Sequence, residues 1–431
     1  MPEERIEELL EQRDFKQLKL ELEDMYPVDL AEIMEELTDK QVVLIFRLLP
    51  KEEAAETFSY MNAEMRQVLI DALTDSELQE VMEEMYIDDT VDVLEEMPAN
   101  VVDRLLLVTD EETRKQINML LQYPDDSAGS IMNVEYIALR KEMTVAEAIL
   151  KIRQVGINKE TIYTCYVTEK RKLIGSVDVK DLLTTGENKV IEEIMETNPL
   201  FVRTLDDKED VANTIHKYGL IAIPVLDQEM CMVGIVTVDD AMIVLQDEAT
   251  EDMSVMAGVV PNEESYFGTS VWKHARNRFP WLLFLMLSAT ITGLILGHFE
   301  AALAVMPILN TFIPMLTGTG GNCGSQSSTL IIRGLTVGEI EFKDIFRVLF
   351  KEIRVALRLS MVNGVRVIIM YGDPLLAFAI GLTMIATILL SKTVGCVLPL
   401  VAKKCRLDPA IMAAPLITTL VDTGTILVYF A

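Results

Sequence analysis

Apolar and polar residues follow three successive patterns along the 431 residues of the chain. In the first pattern, between residues 30 and 110, an apolar residue closes a segment every twelve positions, at Leu37, Leu49, Met61, Leu73, Met85 and Met97. A step of this length leaves about nine helical residues and a tight turn. The pattern therefore predicts an all-α domain over residues 1–128, in which short helices stack into a superhelix that serves as a docking surface or as a scaffold.

The second pattern is a tandem repeat in which short β-branched strands alternate with helices. Residues 175–181 recur 59 positions later as residues 234–240, and Met132 and Met195 stand at the openings of the two copies. The repeat resembles a pair of α/β CBS domains, which we place at 129–192 and 193–250. The resemblance implies a regulatory module without chemistry of its own. It also implies a site for an adenine nucleotide such as ATP, formed by a turn with a Ser or Thr followed by an Asp. Thr237 and Asp240 fit this site in the second copy, whereas Asp178 stands in place of the Ser or Thr in the first.

The third pattern is a series of apolar stretches, at 280–299, 301–317, 345–370, 374–400 and 410–430. Each has about the 20 residues that an α-helix needs to cross a bilayer. They predict a multidomain membrane protein whose α-helical transmembrane domain, with five spans, covers 279–431. A linking helix over 251–278 would join this domain to the repeat.

Basic residues concentrate at one side of these stretches, at Lys273, Arg276, Arg278, Arg333, Lys343, Arg347, Lys351, Lys403, Lys404 and Arg406. The loops of the opposite side hold only His298, Glu300 and Asp373. By the positive-inside rule, this distribution predicts a multi-pass protein of the cytoplasmic membrane with a cytoplasmic N-terminus and an external C-terminus. The N-terminal segment has no basic start followed by an apolar run, as a signal peptide would.

Charge separates the same two halves of the chain. Residues 1–271 carry 24 Lys and Arg against 60 Asp and Glu, and the rest carries 14 against 8, which gives a net charge of −30. Such an acidic excess disfavours nucleic acid and attracts cations. It fits either a cation sensor or a surface that is acidic for solubility alone. The five cysteines form no CxxC pair, so neither a zinc site nor a disulfide framework is indicated.

Two features of the apolar part predict an ion pathway. The second stretch contains Pro307 and Pro314 and continues into a glycine-rich segment, 318–326. We expect the helix to break there and to line a cavity, with a flexible loop as the alternative. The other feature is Asp422, which lies 14 residues beyond Asp408 and hence about 21 Å along a helix. A carboxylate at that depth is a candidate cation site.

The surroundings of Asp422 in the sequence suit Mg2+. One or both of Thr418 and Thr419 share its helix face. A single carboxylate flanked by hydroxyls and carbonyls suits a hydrated ion better than a dry oxygen cage. A dimer would place two copies of Asp422 on its two-fold axis. The Asp408-Pro409 pair is explained as the cap and first residue of the last helix.

Several local strings together resemble the MgtE family of Mg2+ transporters over nearly the whole chain: residues 248–252, 278–281, 320–326, 408–409 and 415–422. The resemblance implies a homodimeric, Mg2+-selective channel with its pore site at Asp422, Thr418, Thr419, Asn322 and Gly321. It also implies that cytosolic carboxylates bind Mg2+ when the ion is plentiful and close the pore. The matching positions are Asp88, Asp89, Asp207, Glu209, Asp240, Glu248, Glu251 and Asp252, and further candidate metal ligands are Asp408 and Glu352.

The third apolar stretch departs from the family because it carries Arg354, Arg358 and Arg366, which bear on ion passage. The alternatives are a transporter of another divalent cation, such as Co2+ or Mn2+, with a nucleotide-tuned CBS pair, or an anion carrier that uses these arginines. A third alternative is an enzyme or receptor whose membrane part is only an anchor. The sequence holds no HExxH motif and no Walker loop, so it does not favour an enzyme.

Overall fold

The computed structural model describes residues 2–95, 97–262, 266–371, 374–405, 407–412 and 414–431. The chain divides into two compact units, Met1–Gln246 and Asp247–Ala431. The first unit contains the helical array and the tandem repeat. The second contains the end of the linking segment and the long apolar helices. Asp373 and Arg406, whose charges contribute to the predicted orientation in the membrane, lie outside the described residues.

The twelve-residue step corresponds to a series of short helices, as predicted. These helices are α1 (Pro2–Gln12), α2 (Phe15–Glu23), α3 (Pro27–Glu35), α4 (Asp39–Phe46), α5 (Lys51–Tyr60), α6 (Ala63–Ala72), α7 (Asp75–Glu84), α8 (Ile87–Glu95), α9 (Ala99–Val108) and α10 (Glu111–Leu120). Within the array α3 packs on α5, α5 on α7 and α7 on α9, while α4 packs on α6. The closing residues from Leu49 to Met97 lie at the turns and are buried in one continuous core. This is the arrangement of a superhelix.

Capping residues define where these short helices begin. The Thr74 N–H donates to Glu77 Oε2 at 2.8 Å, and the Glu77 N–H donates to the Thr74 hydroxyl at 3.3 Å. Asn62 Oδ1 accepts from the Met65 N–H at 3.0 Å. Each cap stabilises its helix by about 1 kcal/mol. Isolated helices of this length are only marginally stable in water. The caps and the shared core together therefore stabilise them.

Each copy of the repeat forms a three-stranded sheet, as the α/β prediction requires. The strands are β1 (Ala138–Leu139), β2 (Thr164–Glu169) and β3 (Lys172–Asp178) in the first copy and β4 (Val202–Arg203), β5 (Ala222–Leu226) and β6 (Met232–Thr237) in the second. β1 pairs parallel with β2, which pairs antiparallel with β3, and the second copy repeats this order. The accompanying helices are α11 (Val145–Val155), α12 (Val179–Thr184), α13 (Lys208–Tyr218) and α14 (Val238–Met256).

The two copies interlock through matching glycines. A Cβ on Gly175 of β3 would lie 2.9 Å from the Met195 sulfur, and a Cβ on Gly234 of β6 would lie 2.9 Å from the Met132 sulfur. Met132 opens the first copy but packs on the second, and Met195 opens the second copy but packs on the first. Glycine is required at both places because an added Cβ would also lie 2.8 Å from a backbone carbonyl oxygen, that of Glu196 at Gly175 and that of Asn133 at Gly234.

The second unit is helical. Its helices are α15 (Val271–His298), α16 (Glu300–Val305), α17 (Ile308–Thr336), α18 (Ile345–Tyr371), α19 (Pro374–Lys404) and α20 (Ala414–Phe430). The five long helices overlap the five predicted apolar stretches. Among the described residues, three segments are long and apolar enough to cross a membrane by length and composition, namely Val271–His298, Pro374–Lys404 and Pro409–Phe430. α17, α19 and α20 pack on one another, α18 packs on α19, and α15 packs on α20.

The predicted break in the second stretch is wrong. The chain pauses at Pro307, between α16 and α17, but α17 continues through Pro314 and through the whole glycine-rich segment. Three of the four glycines in this segment, Gly320, Gly321 and Gly324, instead allow close helix packing. A Cβ on Gly324 would lie 2.6 Å from Ile417 Cγ2 and 2.8 Å from the Ser391 hydroxyl oxygen. Small residues allow helices to approach this closely in apolar surroundings.

The linking segment is not a single helix over 251–278. α14 continues from the second copy of the repeat to Met256, and the next helix begins at Val271. Between them Gly258 has a φ of 72°, which favours glycine. A Cβ there would lie 3.3 Å from Pro415 and 3.4 Å from Trp281. The turn after α14 therefore packs against the start of α20 and against α15.

Candidate cation sites

An acidic cluster forms in the first unit, where three segments that are distant in sequence meet. The first turn of α8 contributes Asp88 and Asp89, the first turn of α14 contributes Asp240, and the segment after α11 contributes Glu160. Acidic residues are favourable in the first turn of a helix. Two of the segments therefore carry carboxylates for local reasons, and the tertiary fold brings them close enough to repel one another.

Burial and mutual repulsion raise the pKa values of these carboxyls. Desolvation, followed by the charge of Asp89, raises the pKa of Asp88 to about 7. Desolvation and then the charge of Asp88 raise the pKa of Glu160 to about 8 and that of Asp240 to about 7. The pKa of Asp89 rises to about 6 through desolvation and then Asp240. Near neutral pH the cluster therefore holds both negative charge and exchangeable protons.

One buried amide joins two members of the cluster. The side-chain nitrogen of Asn133 donates to Glu160 Oε2 at 3.0 Å, and the Asn133 side chain also hydrogen-bonds to Asp88. Asp88 Oδ1 is buried and has no hydrogen-bond partner among the described residues. A buried acceptor without a donor costs about 1–3 kcal/mol, which a proton or a cation would offset. The oxygen donors and the charge fit Mg2+, a hard cation that takes oxygen ligands.

A cleft of about 520 Å³ opens at the edge of this cluster. Its acidic lining residues are Glu52, Glu56, Glu83, Glu84, Asp89 and Glu135, and its other lining residues are Ala55, Met85, Tyr86 and Ile157. In the described ranges, no three His, Cys, Asp or Glu side chains converge closely enough to enclose a bare metal ion. Mg2+ keeps much of its water shell, so carboxylates spread over a cleft fit the hydrated ion.

The remaining predicted regulatory residues lie elsewhere. Asp207 caps α13, where its Oδ1 accepts from the Glu209 N–H at 2.9 Å. Glu248, Glu251 and Asp252 lie on the last part of α14, in the second unit. The eight predicted positions thus divide among the acidic cluster, the start of α13 and the end of α14.

Sequence reasoning missed Asp92, Glu135, Glu160 and Asn133. Asp92 follows Asp88 by one turn of α8, so its spacing is the one local signal for it. Its pKa is raised by desolvation and then by Asp88. Glu135 lines the cleft, and desolvation is the main cause that raises its pKa. Glu160 and Asn133 precede strands of the repeat and carry no local signal, because only the folded chain places them beside α8.

The two predicted nucleotide-binding residues contact each other where β6 meets α14. The Thr237 hydroxyl donates to Asp240 Oδ2, so this place adjoins the acidic cluster. In the first copy Asp178 occupies the position that corresponds to Thr237, and the Thr164 hydroxyl donates to its Oδ1 at 2.8 Å. A hydroxyl–carboxylate pair therefore occurs in both copies, although the neighbouring strand supplies the hydroxyl in the first.

Asp422 lies near the middle of α20 in the second unit and is half-buried. It follows the start of the helix by about 12 Å at ~1.5 Å per residue. Within the part of the chain that the structure describes, no basic side chain and no hydrogen-bond donor pairs with its carboxylate. An unpaired carboxylate on an apolar helix is the chemistry expected of a cation site.

The other predicted pore residues surround one contact between α17 and α20. The hydroxyls of Thr418 and Thr419 donate to the Pro415 carbonyl at 3.0 and 2.8 Å. A Cβ on Gly321 would lie 3.0 Å from Thr418 Cγ2, so the two helices touch there. Asn322, the next residue on α17, is exposed. The structure therefore brings Gly321 to Thr418 and leaves Asn322 open to the surroundings.

Glu352 has a role that sequence reasoning does not anticipate, as the anion of a buried ion pair. Lys392 Nζ lies 2.6 Å from Glu352 Oε2 and donates to the Ser327 hydroxyl at 3.0 Å. That hydroxyl donates to the same Glu352 oxygen at 2.9 Å. The side chains of Lys392 and Glu352 are 6% and 14% exposed. The triad joins α17, α18 and α19 and accounts for Glu352 without a metal ion.

Asp408 caps a short turn before the last helix, not the helix itself as predicted, since α20 begins at Ala414; it also lies near a second carboxylate. Its Oδ1 accepts from the Ala410 N–H at 2.7 Å, at the turn Pro409–Met412 that precedes α20. The pKa of Asp252 is raised by desolvation and then by the charge of Asp408. The end of α14 and the turn before α20 thus place two carboxylates where a cation would relieve their repulsion.

Family models match most of the chain. The model described as the MgtE intracellular N domain matches residues 25–126, the CBS domain model matches 128–187 and 191–247, and the MgtE divalent cation transporter model matches 313–431. The magnesium transporter MgtE of Thermus thermophilus is 35% identical over 99% of this chain and 96% of its own length. The magnesium transporter MgtE of Bacillus subtilis is 31% identical over 97% of this chain and 93% of its own length.

Solved structures resemble the first part of the chain. The cytosolic domain of the Mg2+ channel MgtE in complex with ATP is 35% identical, with a TM-score of 0.53, and the match covers 56% of this chain and 98% of that domain. The soluble part of a magnesium transporter is 27% identical, with a TM-score of 0.54, over 57% of this chain and 98% of that structure.

Proposed function

The chain belongs to the MgtE family of magnesium transporters, and we propose that it imports Mg2+ across the cytoplasmic membrane under feedback control by cytosolic Mg2+. The observation that carries the transport step is Asp422, a half-buried carboxylate in the middle of an apolar helix with no basic partner among the described residues. A fixed charge in such surroundings is costly unless a mobile cation shares it.

The transported ion would meet Asp422 through its water shell, because Mg2+ dehydrates reluctantly. The contact between Gly321 and Thr418 brings α17 close to α20 one turn before Asp422. A homodimer would bring a second Asp422 to the same axis. Two carboxylates create a stronger local field than one and favour a divalent over a monovalent cation.

Feedback would act through the carboxylates that the fold crowds together. Asp88, Asp89 and Asp240 repel one another in the acidic cluster, and Asp252 repels Asp408 in the second unit. Bound Mg2+ reverses the sign of these interactions and favours a compact, closed form of the protein. Asp207, Glu209, Glu248 and Glu251 would contribute further ligands in this scheme.

The pKa shifts give this mechanism a pH dependence with a definite sign. The carboxyls of the cluster have folded-state pKa values of about 6 to 8, above the ordinary value of about 4. Their contribution to stability is therefore complete below about pH 4 and is lost as the pH rises through 6 to 8. Mg2+ would restore this stability in the upper part of that range, where protons no longer neutralise the cluster.

The membrane arrangement follows from charge and helix length. Long apolar helices suit the lipid, and the basic residues near Lys273, Lys343 and Lys403 suit the cytoplasmic side. This arrangement keeps the acidic first unit in the cytosol, where it meets the ion that it is proposed to sense.

A nucleotide would tune the same cytosolic unit. Thr237 and Asp240 form a hydroxyl–carboxylate pair beside the acidic cluster, and a relative's cytosolic domain was solved in complex with ATP. We expect ATP to bind the full-length chain and Thr237→Ala to weaken this binding. Equal affinity in the variant would remove Thr237 from the nucleotide site.

Growth of a Mg2+-transport-deficient strain at limiting Mg2+ tests the transport step. Wild type and the control Glu300→Gln, which removes an exposed carboxylate from α16, should restore growth. Asp422→Asn and Asp422→Ala should fail at equal membrane abundance, because the charge that attracts the cation is missing. Full rescue by Asp422→Ala would refute the assignment. Uptake of Mn2+ or Co2+ in preference to Mg2+ by liposomes that contain the protein would support the other divalent-cation function instead.

A further inference from the structure

The long helix α18 carries a stripe of cations on one face. Four basic residues follow the spacing i, i+4, i+7 and i+11, and they define what we call the basic stripe: Arg347, Lys351, Arg354 and Arg358. At 3.6 residues per turn they fall within a sector of about 60° and extend about 16 Å along the helix. The opposite face packs on the rest of the unit, where Ala356, Ser360 and Val367 are at most 2% exposed.

The basic stripe faces outward from the unit. All four of its side chains are exposed, and the Arg347 side chain is 88% exposed with one contact at 3.5 Å to Asp344. The Arg354 guanidinium lies over the Phe350 ring at 4.9 Å. Among the residues described, no carboxylate pairs with Lys351, Arg354 or Arg358. Within the described ranges, the carboxylates of the chain therefore leave most of this row of cations unneutralised.

Large apolar side chains flank the basic stripe. Phe346, Phe350, Leu357 and Met361 are between 50% and 81% exposed. This mixture differs from the exposed surface of α15, which carries Leu282, Leu287 and Leu294 but holds its Lys and Arg residues only before Phe279. Exposed apolar side chains suit acyl chains, whereas cations among them need anions at the same depth.

Phospholipid headgroups supply those anions. Arginine binds phosphate through two parallel hydrogen bonds, and the long side chains of Arg and Lys extend from an apolar helix towards the headgroups. The stripe begins two residues after the helix starts at Ile345. With α18 as the third span of the proposed membrane domain, the stripe would occupy the half of the helix nearest one membrane surface. Anionic lipids attract a basic segment there by about 1 kcal/mol for each cation.

We propose that the basic stripe of α18 is a binding site for the headgroups of anionic phospholipids, in the leaflet at the Ile345 end of the helix. The proposal rests on the membrane placement given above and goes beyond the transport function. It gives Arg354 and Arg358 a partner outside the ion pathway. Arg366 is not part of the site, because it lies about 100° around the helix from Arg347 and its guanidinium contacts the Met315 sulfur at 2.8 Å.

Lipid binding to the purified full-length protein tests the proposal. Native mass spectrometry in a neutral detergent would count bound phosphatidylglycerol and phosphatidylcholine, and thermal unfolding would follow the stabilisation by each lipid. Wild type should prefer phosphatidylglycerol. Arg354→Gln combined with Arg358→Gln should lower that affinity about 30-fold, and each single change about fivefold. The charge-preserving pair Arg354→Lys and Arg358→Lys should retain most of the affinity, and the control Arg366→Gln should stay within about twofold of wild type.

Several results would overturn the proposal. These are equal binding of the two lipids by wild type, an unchanged preference in the double variant, or an equal loss in Arg366→Gln. Stabilisation by inorganic phosphate alone would assign the stripe to a free anion. A change from dimer to monomer in the double variant with its lipid preference intact would assign the face to a second copy of the chain. The single variants keep the test valid if the double variant does not fold. The readout does not involve Mg2+ uptake, so failure here leaves the transport proposal standing.

Discussion

Replacing Glu160 by Gln tests whether the acidic cluster exchanges protons for Mg2+. Glutamine keeps the size of the side chain and the oxygen that accepts from Asn133, so the main loss is one ionisable group. The pKa of Glu160 is about 8, which means that roughly nine molecules in ten carry this proton at pH 7. Asp88 and Asp240, with pKa values of about 7, are each roughly half protonated. Asp92 also has a pKa of about 8 and holds nearly one more proton, so these four carboxyls together hold about three protons at pH 7.

If Mg2+ binds the charged carboxylates, saturation of the wild-type chain at pH 7 releases about three protons. Glu160→Gln should release about two. The matched control is Glu147→Gln, since Glu147 forms a capping box with Thr144 at the start of α11 and glutamine preserves that box. The pKa of Glu147 is lowered, mainly by the hydrogen bond from the Thr144 N–H, so Glu147 has no proton to release at neutral pH.

The measurement is the amount of base that holds pH 7 while Mg2+ is added to full-length protein in a weakly buffered detergent solution. Calorimetry on the same samples reports whether Mg2+ binds. Binding without proton release by wild type would refute the reasoning, because the bound ion would then not displace protons from the cluster. Equal release by wild type and Glu160→Gln would exclude Glu160 from the exchanging groups. At pH 9 the release should nearly vanish in all three proteins, because the carboxyls have already lost their protons.

Three further predictions concern stability and gating. Lys392→Met should lower the free energy of unfolding by about 3–5 kcal/mol, because Glu352 stays buried without its cation. Adding Glu352→Gln should recover most of this loss in a thermal unfolding experiment. Unchanged stability of the single variant would contradict the ion pair. Gly324→Ala should destabilise the membrane unit by about 1–3 kcal/mol, whereas Gly318→Ala, with no atom within 4 Å of the added methyl, should not; equal effects would contradict the close packing. Proteolysis between α14 and α15, in the segment 257–270, should slow as Mg2+ rises through the millimolar range, and a cleavage rate indifferent to Mg2+ would contradict the gating proposal.

Features that depend on neighbouring residues could be predicted from the amino-acid sequence. The twelve-residue step from Leu37 to Met97 predicts the short helices because a helix and its turn are built from local contacts and caps. The tandem repeat predicts two matching sheets because strand patterns are local as well. The long apolar stretches and the separation of charge predict a membrane part and an acidic part, since burial in lipid depends on composition over about 20 residues.

Contacts between residues that are distant in sequence become visible in the folded chain alone. Asp88, Glu160 and Asp240 come from three segments, and their repulsion exists because the helical array packs on the repeat within one unit. The glycine-rich segment of α17 resembles a helix break by local propensity, but close helix packing in the folded unit favours glycine at positions such as Gly324. The pair formed by Lys392 and Glu352 likewise depends on α18 and α19 lying side by side. The local sequence pattern indicates the secondary structure that each segment favours, whereas contacts between segments depend on how all of them pack together in the folded chain.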